Sequence, residues 1–418
     1  MVLWQCRNLS YSLISLSIQL GNLYLDQLLY SRAEKYFGQG LKILRSCSRD
    51  DDSDIIICLH KLGIIKEALF DDERALDFYL QCIRNVKKIG GFETNTIMAS
   101  SLHNAALIYL RQRDFHSALD CMTDAFNTKL SAFGEVHRET AASQHFLGII
   151  YLEMENADKA LFHLSSALNA RRECTGAEHI DVARTLFGLG YTHFVRDEFE
   201  EVIKCLSEAL RISGNVGGNE AEPRAELQLG ISYQEQGSFE TAMAHLFEAL
   251  HLLNSSPDSN RMDIAQALFR LGICYCATGQ FQQSLEKFKE CLEMRKLQLG
   301  NLHIECANTY ESIGIVQQKT ECHDEAINSF ERALAIKKTT LDDSDEDIGI
   351  LFHFIGISLL ALNKFEEAVS SFKNSSERKK KHRGRADAEY AMSVIGLAAA
   401  YAKIGDQTLS VEVRLLHF

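Results

Sequence analysis

Apolar residues recur along this chain at helical spacing and in paired blocks, and the clearest block runs from Leu147 to Leu168, LGIIYLEMENADKALFHLSSAL. Leu147, Tyr151, Leu161, Leu164 and Leu168 are interleaved with the small residues Gly148, Ala160 and Ala167. The spacing predicts two amphipathic helices, and the small positions let their backbones cross closely. Between them Glu155-Asn156-Ala157-Asp158 is polar and offers a cap for the second helix. One such hairpin could not bury its own apolar faces, so it predicts neighbours of the same kind.

Those neighbours fill the chain. The small residue of the first helix recurs as Gly21, Gly63, Ala106, Gly148, Gly190, Gly230, Gly272, Gly314, Gly356 and Ala398, at a spacing of 42 residues interrupted by one step of 43 and one of 40. Twelve residues after these anchors stand Ala33, Ala75, Ala118, Ala160, Val202, Ala242, Ser284, Ala326, Ala368 and Ser410. Four further on come Phe37, Tyr79, Met122, Leu164, Leu206, Leu246, Phe288, Phe330 and Phe372. Two independent columns in one register predict ten hairpins, each an A helix followed by a B helix.

Leu-Gly-x-x-Tyr (Leu147, Gly148, Tyr151) followed by Ala160 and Leu164 resembles the tetratricopeptide repeat, at a longer period than the usual ~34 residues. The longer period is similar to that of the kinesin light chain family, as are the connectors Gly134-Glu-Val-His137, Gly176-Ala-Glu-His179 and Gly300-Asn-Leu-His303. The family's proline after the histidine is replaced by Arg138, Ile180 and Ile304, and its paired asparagines survive only as His103-Asn104. No heptad pattern of the kind that joins such a light chain to a motor is present. The resemblance implies an all-α, right-handed superhelical solenoid and an adaptor that binds other proteins.

Composition changes this picture little. Two prolines, Pro223 and Pro257, suit a nearly all-helical chain. A net charge of −13 argues against nucleic acid as a partner. The twelve cysteines are scattered, several at core positions such as Cys82 and Cys291, which points to reduced thiols and a cytoplasmic protein. The apolar N-terminus is broken by serines, Gln19 and Asn22 and already carries Leu20-Gly21-x-x-Tyr24, so it reads as the first repeat and not as a leader or a membrane span.

The expected organisation is a single solenoid over 1–418, with a possible hinge at 213–223, where Ser213-Gly-Asn-Val-Gly-Gly-Asn219 meets Pro223 at the 40-residue step. A second interruption lies at Asn254-Ser-Ser-Pro-Asp-Ser-Asn260. The tenth repeat is degenerate, with Arg414 and His417 at apolar positions. Uncapped terminal repeats suggest end-to-end association, a covering partner, or a longer array.

The candidate binding surface is the concave groove lined by the A helices. Three residues before the anchors, the column reads Ile18, His60, His103, His145, Phe187, Leu227, Phe269, Glu311, His353 and Ile395; its polar and aromatic members, with Asn104 beside them, are the candidate site. A polar and aromatic strip of this kind suits an extended peptide or a partner helix. Repeats place these histidines roughly 10 Å apart, too far to share a metal ion. A carboxylate clamp is not expected, since Asn22 faces Ile18 where lysine is needed. The basic run Arg378 to Arg385 reads as the end of a B helix, like Arg171-Arg172, Arg295-Lys296 and Lys337-Lys338, where cations complement the helix dipole.

Asp50-x-Asp52-x-Asp54 and Asp343-x-Asp345-x-Asp347 open like calcium loops but continue with Ile55 and Ile348 where glycine is required. Gly188-Leu-Gly190 lies within a helix and cannot cradle phosphate. The expectation is a scaffold or adaptor without catalysis, cofactor or metal, binding peptide segments or helices of other proteins. The alternatives are a light-chain-like cargo adaptor for a microtubule motor and the regulatory array of a larger signalling enzyme.

Overall fold

The computed structural model describes residues 2–46, 53–89, 92–215, 223–255, 261–342, 345–383, 388–406 and 408–411. The chain divides into two compact units, Met1–Glu220 and Ala221–Phe418. The division falls inside the 213–223 stretch, of which residues 216–222 lie outside the described residues, as do Pro257, Arg414, His417, Asp50, Asp52 and Asp343.

The first unit holds five hairpins: α1 (Val2–Asp26) with α2 (Tyr30–Ser46), α3 (Ser53–Ala68) with α4 (Asp72–Ile89), α5 (Phe92–Arg111) with α6 (Phe115–Phe133), α7 (Arg138–Glu153) with α8 (Ala157–Thr175), and α9 (Ile180–Val195) with α10 (Phe199–Asn215). The second holds α11 (Pro223–Glu235) with α12 (Phe239–Ser255), α13 (Arg261–Ala277) with α14 (Phe281–Leu299), α15 (Ile304–Lys319) with α16 (His323–Thr340), and α17 (Glu346–Ala361) with α18 (Phe365–Arg383). It ends with α19 (Ala388–Ile404) and one helical turn at 408–411. The described residues contain only helices and their connections. The N-terminal stretch is the A helix of the first hairpin, as its pattern predicts. Pro223 opens α11, where a missing N–H costs nothing.

Each hairpin is closed by its two sequence columns. The large residue of helix B lies on the backbone of the anchor: a Cβ on Gly63 would stand 2.5 Å from the Tyr79 ring, and one on Gly272 would stand 2.6 Å from Phe288. The B-helix small residues Ala33, Ala75, Ala118, Ala160 and Ala242 are all fully buried. Cys82 and Cys291 are likewise core residues, and burial pushes both thiols up to about 11.

The turns share one backbone feature. Seven residues after the anchor the chain adopts a left-handed conformation, with Leu28, Phe70, Arg113, Glu155, Asp197, Gly237, Gly279, Glu321, Asn363 and Gly405 all at positive φ. After the first nine of these the next residue but one begins helix B, and Asp114 and Asn156 cap α6 and α8 by accepting from the N–H of Ser117 and Lys159.

The Gly-x-x-His connectors have an equally local explanation. Gly134, Gly176 and Gly300 end their helices at φ 83°, 89° and 88°, a conformation that costs glycine least. His137, His179 and His303 then cap α7, α9 and α15, each Nδ1 accepting from the N–H two residues on at 3.2, 3.1 and 3.2 Å. At α17 the same task falls to Asp345, which accepts from Asp347, so the acidic loop supplies a helix cap.

Candidate functional site

Successive A helices touch: α3 with α5 and α7 with α9 in the first unit, and α11 with α13, α13 with α15, α15 with α17 and α17 with α19 in the second. No B helix makes comparable contact with the next B helix among the described residues. Within each unit the A helices therefore lie on the inner side of the curve, and their remaining open strip is the inner face.

The column three before the anchors points instead into the joint between repeats. His60, His103 and His353 hydrogen-bond through Nδ1 to the hydroxyls of Ser101, Ser143 and Ser393 on the next A helix, at 2.9, 3.1 and 3.3 Å. Burial keeps all three neutral, lowering their pKa from 6.5 to about 4, 3 and 4. His145 is 7% exposed, and burial, helped by Arg171 and Arg184, holds it at about 3. Its Nδ1 has no hydrogen-bond partner, because the equivalent hydroxyl, Thr185, receives Arg171 at 2.6 Å.

A second column explains why these positions are polar. Twenty-three residues after the anchors, at the end of helix B, stand Lys129, Arg171, Arg295, Lys337 and Lys379, all between 1% and 5% exposed. Each crosses into the start of the next A helix. Lys129 pairs with Glu139 at 3.0 Å, Arg295 with Glu305 at 2.7 Å, Lys337 with Asp347 at 2.9 Å and Lys379 with Glu389 at 2.7 Å. Arg171 donates to the Asp181 carbonyl at 2.7 Å.

The remaining column residues meet these cations or their neighbours. Glu311 binds Lys337 at 2.8 Å, and the Arg295 guanidinium lies over the Phe269 ring at 4.6 Å. Burial disfavours the Lys337 ammonium, yet its bonds to Glu311 and Asp347 carry its pKa above the ordinary value. Asn104 donates to the Tyr79 hydroxyl at 3.1 Å, and that hydroxyl donates to Glu67 at 2.9 Å.

Of the eight residues read as the groove strip, His145, Phe187 and His353 are thus packed into joints, at 7%, 5% and 7% exposure, and present almost nothing to a partner. His60, His103, Asn104, Phe269 and Glu311 are half-buried and keep part of their surface free. Lys379 removes one charge from the basic run by burying it, and the side chains of 381–387 lie outside the described residues.

The open strip belongs to a different column, one residue after the anchors. Ile64, Leu107, Ile149 and Tyr191 in the first unit, and Ile273, Ile315 and Ile357 in the second, are half-buried on successive A helices. Its signal in the sequence is the near-constant apolar residue next to the anchor, which packs partly on the core and keeps its remaining surface exposed. No group of three or more His, Cys, Asp and Glu side chains among the described residues is arranged to hold a metal ion. Among the described residues no helix is long and apolar enough to cross a membrane.

Comparison with solved structures finds the same architecture at low identity. The quorum sensor NprR from B. thuringiensis, in its apo form, superposes with a TM-score of 0.56 at 14% identity, covering 86% of this chain and 96% of that one. A signal transduction ATPase with a tetratricopeptide repeat sensor, from Pyrococcus horikoshii, gives 0.52 at 12% identity, over 86% of this chain and 52% of that one. A Podosopora anserina putative kinesin light chain with nearly identical repeats gives 0.43 at 16% identity, over 49% and 96%. No curated protein sequence matches. The model of the tetratricopeptide repeat matches residues 97–173, 221–297, 263–339 and 305–381, more than half of the sequence, and the chain belongs to the tetratricopeptide repeat family.

Proposed function

We propose that this chain is a cytoplasmic scaffold or adaptor that carries out no reaction of its own and binds extended segments or helices of other proteins along the inner face of its A helices. The observation that carries the reading is the strip of half-buried apolar side chains, Ile64 to Tyr191 and Ile273 to Ile357, that successive repeats leave open. Such a strip gains by burying more surface, at about 25 cal/mol per Å². The half-buried His60, His103, Asn104, Phe269 and Glu311 flank it and would supply polar contacts. The acidic surface disfavours nucleic acid and favours partner segments without excess negative charge.

The Gly-x-x-His connectors do not by themselves favour a motor subunit, since helix caps account for both residues. The test is affinity capture with the intact chain and with a Leu107→Lys, Ile149→Lys variant that keeps the wild-type circular dichroism. Partners retained by wild type and lost by the variant support the inner face. Equal capture by both would move recognition to the outer helices or to the terminal repeats, including association between copies.

A further inference from the structure

The inner strip is not uniform: between α13 and α15 it opens into a notch of about 260 Å³, lined by Ile273, Cys276, Ala277, Phe288, Ser312, Ile315, Val316 and Lys319. Three small residues line it. Two before the anchor, the seventh and ninth repeats carry Arg270, paired with Glu235 at 2.9 Å, and Phe354, stacked on Phe330 at 5.4 Å, whereas the fifth and tenth carry Gly188 and Gly396. The eighth repeat carries Ser312, whose hydroxyl turns back to the Asn308 carbonyl at 3.0 Å. Four after the anchor, Gln318 spans the next joint to Ser358 at 2.9 Å, whereas the seventh repeat has Cys276. Ala277 completes the gap.

The notch is smaller than the roughly 300–1,000 Å³ of small-molecule sites, and Ile273, Ala277, Ile315, Val316 and Phe288 make its walls mostly apolar, with Cys276 and Ser312 between them. Its one charged residue is Lys319, exposed at the lip and without an ion-pair partner among the described residues. An ammonium beside an apolar recess favours a ligand that is apolar where it enters and anionic where it leaves.

We propose that this notch is a specificity pocket that takes one aliphatic side chain, leucine or methionine, from a partner segment carrying an aspartate or glutamate within reach of Lys319. The proposal rests on the adaptor reading above and narrows it. Register follows from the geometry: the partner's anchor sits over the α13–α15 joint, and the rest of the segment runs along Ile315 and Ile357 or back past Ile273.

A display library of random dodecapeptides, selected on the intact chain, tests it. Peptides combining one leucine or methionine with an adjacent acid should be enriched, and should slow alkylation of Cys276 without slowing that of the exposed Cys174 and Cys322. Ser312→Phe, which copies the residue present two before the next anchor, should weaken them about tenfold or more. Lys319→Glu, on the surface, should weaken them too and favour basic neighbours instead. Enriched peptides that bind Ser312→Phe as tightly as wild type, or leave Cys276 alkylation unchanged, overturn the pocket while leaving the adaptor reading standing. Failure to enrich any peptide counts against both.

Discussion

Acidification should loosen the first unit far more than the second. His60, His103 and His145 follow one another in three successive joints, each held neutral by burial and faced by Lys61, by Lys129 and Glu139, and by Arg171 and Arg184 respectively. The second unit has one counterpart, His353, beside Lys379 and Glu389. Folding lowers these pKa values, so below 6.5 the unfolded chain binds more protons than the folded one. The stability they contribute is complete above pH 6.5, drains as pH falls, and levels off only below about 3 to 4. At pH 5.5 each histidine costs about 1.4 kcal/mol, the work of binding a proton in the unfolded state alone. Three give about 4 kcal/mol in the first unit, against about 1.4 in the second.

Because solenoids open locally, one melting temperature would blur this difference. Hydrogen exchange read by mass spectrometry, corrected for intrinsic rates at pH 7.5 and 5.5, gives an opening free energy for each hairpin. The expected result is a larger drop across α3–α9 than across α13–α19. The triple variant His60→Gln, His103→Gln, His145→Gln should lose most of that excess. Equal drops in the two units, or an unchanged drop in the variant, would refute the assignment to these histidines.

Four further outcomes follow from the joints and turns. Lys337→Leu should cost about 1–3 kcal/mol by leaving Glu311 and Asp347 without their cation, and adding Glu311→Leu should recover most of it, because the pair then copies Leu227 and Leu253, the buried residues at the same two positions of the sixth repeat. A urea double-mutant cycle measures the coupling. Gly176→Ala should destabilise by about 1 kcal/mol through its φ of 89°, and His179→Ala by about 1 kcal/mol through the lost cap, both read as lower thermal midpoints. Phe70, 94% exposed at φ 59°, gains little from its ring, so Phe70→Gly should be neutral or stabilising by up to about 1 kcal/mol in the same assay.

The ten hairpins were legible because their periodicity is enforced by packing: each anchor must be small where Tyr79 or Phe288 presses on it. The candidate site was legible only in part. A column of histidines and aromatics at helical spacing looks the same in sequence whether it faces a groove or a joint. What separates the two is a longer-range pattern, a cation followed ten residues later by an acid: Lys129 and Glu139, Arg171 and Asp181, Arg295 and Glu305, Lys337 and Asp347, Lys379 and Glu389. Read as helix-end cations, those residues explain nothing about the next repeat. Seen as buried bridges, they place the neighbouring column inside. The Gly-x-x-His connectors illustrate the converse, a motif legible in the sequence whose two residues have a local cause in a glycine at positive φ and a histidine cap.

The inner-face assignment is tested most directly by a photo-reactive residue placed at Leu107 and, in a separate chain, at Phe162, which is 65% exposed on a B helix. After irradiation in cells and identification of the adducts, the account predicts partner segments crosslinked at 107 and none in common at 162. The same partners crosslinked at 162 and absent at 107 would contradict it.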